Sequence, residues 1–554
     1  MIPKNLKIPA LVVISSSLII MFTLSTKILP QSEFKSYPEN RLSLPGHPPY
    51  GGTLLWGTTN PPTIINPILT QHSVSASLMG LLFDSLVRID SQGNIVPGLA
   101  RTWTVSPDGR EYTFYLKKGI YFHDGIECTA EDVKFTYETI GNPKNQSPWK
   151  TNTELVSQWE VIDRYTFKVT LPESSIPLLN NLVREIAPKH ILKNQDLAST
   201  SFNFHPVGTG PFKFKEWDLE TNQIELEANP DYFEGRPYLD RIIVKSYPDN
   251  SSLWAALMRH EVDFVQFINS EDYSVLENDP TYKIYKINSG AYCAIDYNLK
   301  APILADIEVR KAIVYGIDIK KLMAAVSGDG IVSTGPFHPE SQGFNADIKP
   351  LAYNPLKAKI TLMHQGWRDV DGDGILEKGG QPLEIRLLVD AKRDYYKRMA
   401  MEIRQQLSEI GIKIKILLYE NENELTAEYI SVDKPQAWLR FFQGLGNDMN
   451  EAVGSWYSLS SQFGKLWNYK NKEVDLLFES ARTTQDQKEK IRRYQSLHKM
   501  IYEKQPACFL FFPASFCAIS ARFENTDAFF CRHMPNYVIK DWYMLRDGSN
   551  VKRR

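Results

Sequence analysis

The stretch from Gly93 to Glu138, GNIVPGLARTWTVSPDGREYTFYLKKGIYFHDGIECTAEDVKFTYE, constrains the fold more than any other part of the chain. It fixes several local elements in one order. Ser106-Pro107-Asp108-Gly109 is a turn, because Asp can bond its own backbone and Gly accepts positive φ. Tyr112, Phe114 and Leu116 alternate with Thr113 and Tyr115, the period of a strand with two unlike faces. His123-Asp124-Gly125 is a second turn. Thr129-Ala130-Glu131-Asp132 opens a helix, with Thr as cap and two acids near the positive end of the dipole. Val133, Tyr137 and Ile140 then recur at helical spacing. The block holds no nucleophile and no ligand cluster, so it specifies an ordered α/β unit and no chemistry.

The same alternation continues along the chain. Strands are expected at 51–58, 165–171, 224–228, 241–247, 262–267, 383–389, 413–418, 509–512 and 517–520. Helices are expected at 75–88, 177–183, 251–260, 308–327, 395–409, 473–482 and 487–503. Strands mixed with helices throughout argue α/β layers, not a sandwich or a bundle. A chain of 554 residues exceeds one core and divides into two or three domains. Net charge is −2 with no basic stripe, which argues against nucleic-acid binding.

The N-terminus departs from this pattern. Lys4 and Lys7 precede a run without charge from Ile8 to Leu24, which ends before Lys27. That is the layout of a secretory signal, though no clean small-x-small cleavage site follows. A cleaved signal and an uncleaved anchor both fit residues 1–30, and both place the body outside the cytoplasm. Residues 31–50 carry four prolines and no periodicity, and read as a tether. The five cysteines, Cys128, Cys293, Cys508, Cys517 and Cys531, are too scattered for a disulfide scaffold. One pair among Cys508, Cys517 and Cys531 is the alternative to small buried thiols.

The ordered pieces closely resemble the family 5 extracellular solute-binding proteins, receptors of peptide, dipeptide and nickel ABC importers. Beyond the Gly93–Glu138 block, the resemblance rests on Gly51-Gly52-Thr53-Leu54 with Asn66-Pro67, Gly208-Thr209-Gly210-Pro211-Phe212 and Asn229-Pro230-Asp231-Tyr232-Phe233. It extends to Val309-Arg310-Lys311-Ala312 with Gly316-Ile317-Asp318, to Asp369–Leu376 and to Leu407–Ile412. No lipid-anchor Cys follows the apolar run, unlike many members. The resemblance implies a type II periplasmic-binding-protein-like α/β fold with a ligand cleft between two lobes. It implies a discontinuous lobe I from 51–83, 188–305 and 508–554, an inserted domain at 84–187 and a lobe II at 306–507.

No GxSxG, HExxH, CxxC or glycine-rich phosphate loop is present, so no enzyme is expected. His123 near Asp124 and Cys128 sits in a turn and reads as structural. Asp369-Val370-Asp371-Gly372-Asp373-Gly374 resembles the start of a calcium loop, but position 12 is Gly380 where a bidentate Glu belongs. No metal and no cofactor are therefore expected. The site is expected in 438–458, WLRFFQGLGNDMNEAVGSWYS. Asp448-Met449-Asn450-Glu451 resembles the D-Y-N-E stretch of oligopeptide-binding members, where the Asp receives the peptide ammonium. By that match Asp448 is the anchor, and Gly444 lets the backbone approach the ligand. Met449 replaces the family's Tyr, Ala452 a frequent Pro and Leu445 a frequent aromatic. Arg440 lies two residues from where an Arg sometimes binds in the family; it shifts into place or is a surface charge. Tyr292, Tyr297 and Asn298 lie where the family's interlobe strand meets the cleft, and His72 is a further cleft candidate.

The expectation is an exported, monomeric substrate-binding protein on the periplasmic or extracytoplasmic side. It captures oligopeptides and serves an ABC permease and ATPase at the cytoplasmic membrane surface. Dipeptides, nickel complexes or haem are the alternative ligands. An envelope peptide hydrolase and a non-transport interaction protein are the alternatives of other classes.

Overall fold

Two sheets carry the architecture. In the computed structural model the described residues are 48–70, 73–91, 94–173, 178–268, 270–288, 291–326, 329–392, 394–420, 436–442, 449–454, 456–458, 469–484, 486–530 and 536–545. The strands named below are β1 (Thr53–Thr58), β2 (Ala100–Val105), β3 (Glu111–Leu116), β4 (Gln158–Asp163), β5 (Thr166–Thr170), β6 (Phe212–Asp218), β7 (Gln223–Ala228) and β8 (Arg241–Ser246). They continue with β9 (Phe264–Ile268), β10 (Tyr282–Asn288), β11 (Tyr292–Tyr297), β12 (Gly330–Val332), β13 (Glu384–Asp390), β14 (Lys413–Tyr419), β15 (Ala437–Phe442) and β16 (Ala507–Ser520). The helices named are α1 (Ser73–Leu82), α2 (Ala130–Gly141), α3 (Asn250–Met258), α4 (Ile307–Gly316), α5 (Ile319–Val326), α6 (Pro355–His364), α7 (Asp394–Ser408), α8 (Met449–Gly454), α9 (Lys472–Thr483) and α10 (Gln487–Lys504).

The large sheet has the order β14-β13-β15-β11-β16-β9-β1-β8-β7-β6, with β10 and β12 also paired to β16. Strand β1 runs parallel to β8 and β9, and β13 runs parallel to β14 and β15. The remaining ladders are antiparallel. A separate antiparallel sheet has the order β2-β3-β5-β4. One core lies around β1, β6 to β9 and the small sheet. A second lies among β11, β13, α4 and α7, and a third holds Tyr292, Phe442, α9 and α10. No helix among the described residues is long and apolar enough to cross a membrane.

The opening block folds as its local signals predict. Tyr112, Phe114 and Leu116 are the buried face of β3. The Asp132 carboxylate accepts from the Thr129 N–H at 2.9 Å and the Thr129 hydroxyl at 3.1 Å, which closes the first turn of α2. Val133, Tyr137 and Ile140 are buried on that helix.

Three expectations are corrected. The helix begun at Ser73 stops at Leu82, and Val87–Ile89 is a short strand. Gly208 and Gly210 press on that stop: added Cβ atoms would meet the Leu82 carbonyl at 1.9 Å and 2.4 Å, and the Gly210 N–H donates to the Leu82 oxygen at 2.9 Å. The described part of the region expected as one helix at 308–327 is two helices, α4 and α5, broken at Ile317-Asp318, where the Asp318 N–H donates to Gln406 Oε1 at 2.6 Å. The segments 509–512 and 517–520 are parts of one strand, β16, which continues through Pro513.

The junction between the small and large sheets is a buried charge network. Arg88 donates to Asp84 through Nη2 and to Glu234 through Nη1 at 3.0 Å. The Tyr232 and Thr209 hydroxyls each donate to Asp84 at 2.9 Å, and Lys117 lies 3.4 Å from Glu234. Burial raises the Asp84 carboxyl against the pull of Arg88. Burial also opposes ionisation of Glu234, but Arg88 and Lys117 together hold its carboxyl below the usual range. Elsewhere, Arg310 of the V-R-K-A motif is buried and donates to the carbonyls of Leu304, Lys504 and Gln505 at 2.7, 2.8 and 2.7 Å. Its guanidinium ties α4 to the end of α10.

Candidate functional site

Strand β11 is buried at all six positions, so its alternation divides two cores. Cys293, Ile295 and Tyr297 face the second core, while Tyr292 and Ala294 face the third. Asp296 shares the parity of Tyr292 and is the one acid in the strand. On neighbouring β15, Trp438, Arg440 and Phe442 have matching parity, with Asp296 opposite Trp438 and Tyr292 opposite Phe442.

Arg440 and Asp296 meet on that face. Arg440 Nε donates to Asp296 Oδ2 at 2.8 Å. The guanidinium lies 3.9 Å from the Phe442 ring centre and 4.7 Å from that of Trp438. Its side chain is 16 % exposed, so the surface-charge reading of Arg440 is corrected: it is a half-buried cation held by an acid and two rings. Asp296 is fully buried, and its Oδ1 has no hydrogen-bond partner. Burial pushes its carboxyl up to about 8, against the pull of Arg440. Tyr292 stacks on Phe442 with ring centres 4.6 Å apart, and burial pushes its hydroxyl well up.

The structure brings Tyr292 and Arg440 together on one face and places Tyr297 and Asn298 away from it. Tyr297 points into the opposite core because neighbouring residues of a strand face opposite ways. Asn298 shapes the turn after β11: its N–H donates to the Gln436 carbonyl at 2.9 Å and its Oδ1 accepts from the Lys300 N–H at 3.1 Å. His72, Gly444 and Asp448 lie outside the described residues. Asp296 is the residue that sequence reasoning missed. The signal was an acid inside the apolar run AYCAIDY.

Two other constellations were candidates for chemistry. His123 is tied to backbone on both sides: Nδ1 accepts from the Gly208 N–H at 3.2 Å, and Nε2 faces the Gly210 carbonyl at 3.1 Å. Burial lowers its pKa to about 4, and burial pushes the Cys128 thiol well up. The pair is neutral packing, not a nucleophile and its base. The described cysteines, Cys128, Cys293, Cys508 and Cys517, are free and buried; Cys531 lies outside the described residues. In the acidic turn, carboxylate oxygens of Asp369, Asp371, Asp373 and Glu377 lie within 4.8 Å of one another and are those that could hold a hard cation. Each also accepts a backbone N–H of the turn: Asp369 from Gly372 at 2.8 Å, Asp371 from Asp373 at 3.1 Å, Asp373 from Ile375 at 2.7 Å and Glu377 from Val370 at 2.9 Å.

Comparison with known proteins fits this architecture. The family profile described as "Bacterial extracellular solute-binding proteins, family 5 Middle" matches residues 94–466. The oligopeptide-binding protein AppA of Bacillus subtilis is 31% identical over 526 residues, covering 90% of this chain and 93% of that protein. The structure of B. subtilis AppA in complex with a nonapeptide superposes with a TM-score of 0.75 at 30% identity, over 90% of this chain and all of that one (100%). The structure of NikZ from Campylobacter jejuni in complex with Ni(L-His) gives 0.74 at 26% identity, over 89% of this chain and 99% of that one. The profile covers more than half of the chain and the AppA alignment nine-tenths of it: this chain belongs to the bacterial extracellular solute-binding proteins of family 5.

Proposed function

We propose that the chain captures oligopeptides outside the cytoplasmic membrane and delivers them to an ABC permease and its ATPase. The observation that carries this reading is the alignment, over nine-tenths of the chain, with a relative whose structure holds a nonapeptide. Binding proteins of this kind act by closing around the ligand, which shifts the population toward the closed form. Micromolar affinity corresponds to roughly −8 kcal/mol, within reach of a few hydrogen bonds and one paired charge. In this reading Asp448 receives the peptide ammonium. Tyr292 and the Asp296–Arg440 pair brace β15, whose end at Phe442 leads toward that residue. The protein acts as a monomer without cofactor, tethered by residues 1–30 or released after their cleavage.

Calorimetry with di- to hexapeptides, each with a free and an acetylated N-terminus, tests this. Peptide binding that is lost on acetylation and on Asp448→Ala supports the anchor, since an unpaired ammonium in a closed cleft is costly. Binding indifferent to both changes refutes the anchor. The likeness to the Ni(L-His) complex favours a second reading, a small metal chelate as ligand. Heat from nickel–histidine but from no peptide would select it.

A further inference from the structure

Helix α6 is apolar on two sides. Its inner side buries Ala358 and Leu362. Its outer side exposes Leu356 (68%), Ile360 (45%) and Met363 (45%), and Tyr353 just before the helix is 43% exposed. These are four of the fifteen large hydrophobic residues exposed among the described residues, three on this one short helix and one just before it. At about 100° per residue, positions 356, 360 and 363 fall within roughly 60° of one another. Lys357 and His364 border that stripe on one flank and Lys359 on the other.

Along the sequence, the charge beside the stripe has one sign. Residues 348–368 contain Lys349, Lys357, Lys359 and Arg368 and no acid, in a chain whose net charge is −2. Lys357 Nζ lies 4.2 Å from the Tyr315 ring centre, and Arg368 closes the helix end by donating to the carbonyls of Met363 and Trp367. On α4, which packs against the inner side, Glu308 is already paired with Lys311 at 2.8 Å. The flanking acids in sequence are Asp347 and the Asp369–Asp373 turn, whose carboxylates accept N–H groups of their own turn.

We propose that this face of α6 docks on an anionic phospholipid surface, with Leu356, Ile360 and Met363 in the headgroup boundary and Lys357 and Lys359 on lipid phosphates. An apolar stripe edged by lysines is the arrangement that lies in a membrane interface. A second copy of the chain is the poorer occupant, because two-fold pairing of this helix sets lysines against lysines. The inference rests on the extracytoplasmic placement proposed above. It adds that the body, and not only the N-terminal segment, meets the membrane.

The test uses the full chain with vesicles of phosphatidylcholine alone or mixed with phosphatidylglycerol. The readout is the rate of peroxide oxidation of Met363, with Met401 (51% exposed) as internal control. Docking predicts that Met363 is protected severalfold on the anionic vesicles only, while Met401 is unchanged. In Lys357→Gln/Lys359→Gln the partition behind that protection falls about thirtyfold, and Leu356→Gln/Ile360→Gln abolishes it. Equal oxidation on anionic vesicles and in solution overturns the proposal. So does equal protection on neutral vesicles, which N-terminal anchoring alone would give. Protection that grows with protein concentration without lipid, or that requires an acidic polypeptide in place of lipid, also overturns it. Peptide calorimetry on both double variants is expected to match wild type, so a failure of peptide binding and a failure of docking are read separately.

Discussion

Two buried ion pairs in this molecule make a useful contrast. Asp84–Arg88 at the junction of the sheets is saturated: a second acid, a second cation and two hydroxyls complete it. Asp296–Arg440 on β11 and β15 has one acid, one base and two aromatic rings, and leaves Oδ1 of the acid without a partner. Both acids are buried and both are pushed up by burial. The difference lies in what surrounds them. A saturated network fixes a junction. A pair that is one donor short favours the neutral acid and can exchange a proton in the ordinary pH range.

Breaking each pair sharpens the contrast. Arg88→Met strands Asp84 and leaves Glu234 to Lys117, and should lower stability to urea by about 3–5 kcal/mol. A loss below about 1 kcal/mol would mean that the network is not one unit. Arg440→Met should cost less, about 1–3 kcal/mol near neutral pH, because Asp296 can remain protonated. That cost grows toward alkaline pH, where keeping the proton becomes unfavourable. Asp296→Asn should cost least, under about 1 kcal/mol near pH 6, since the amide resembles the protonated acid.

The Asp296→Asn variant also carries the pH signature. The folded carboxyl is raised from 3.8 to about 8, so between those values the unfolded chain has released a proton that the folded chain keeps. This group's contribution is therefore complete below pH 3.8 and is lost as pH rises toward about 8. Subtracting the Asn variant's stability profile from wild type should show a falling slope of at most one proton across that window. A difference that stays flat would show that Asp296 is ionised alongside Arg440 throughout.

Legibility in the sequence followed the distance over which each feature is decided. The turn at Asp108-Gly109, the buried face of β3 and the Thr129–Asp132 helix start were readable because their partners lie within a few residues. The stop of α1 at Leu82 was not, because it is set by Gly208 and Gly210 from far along the chain. Strand β16 reads as two strands, 509–512 and 517–520, in the sequence, and Pro513, which has no N–H for a ladder, stands between them. In the structure that proline stands opposite Gly330 and the strand continues. At the candidate site, Tyr292 and Arg440 were named from the resemblance, but Tyr297 was assigned to the same cleft although strand parity sends it the other way. Asp296 was passed over because its partner is 144 residues distant.

Strand β16 has a consequence for how this chain folds. Its first half is flanked by β11 and β12 and its second half by β9 and β10. It begins at Ala507, so the large sheet lacks its central plank until almost the whole polypeptide is available. A chain emerging N-terminus first holds four strands with open edges until this last strand of the large sheet arrives. Such non-local pairing folds slowly. It also makes loss of the C-terminal tail hazardous: truncation before Ala507 leaves those edges available to other chains, and aggregation is the expected result.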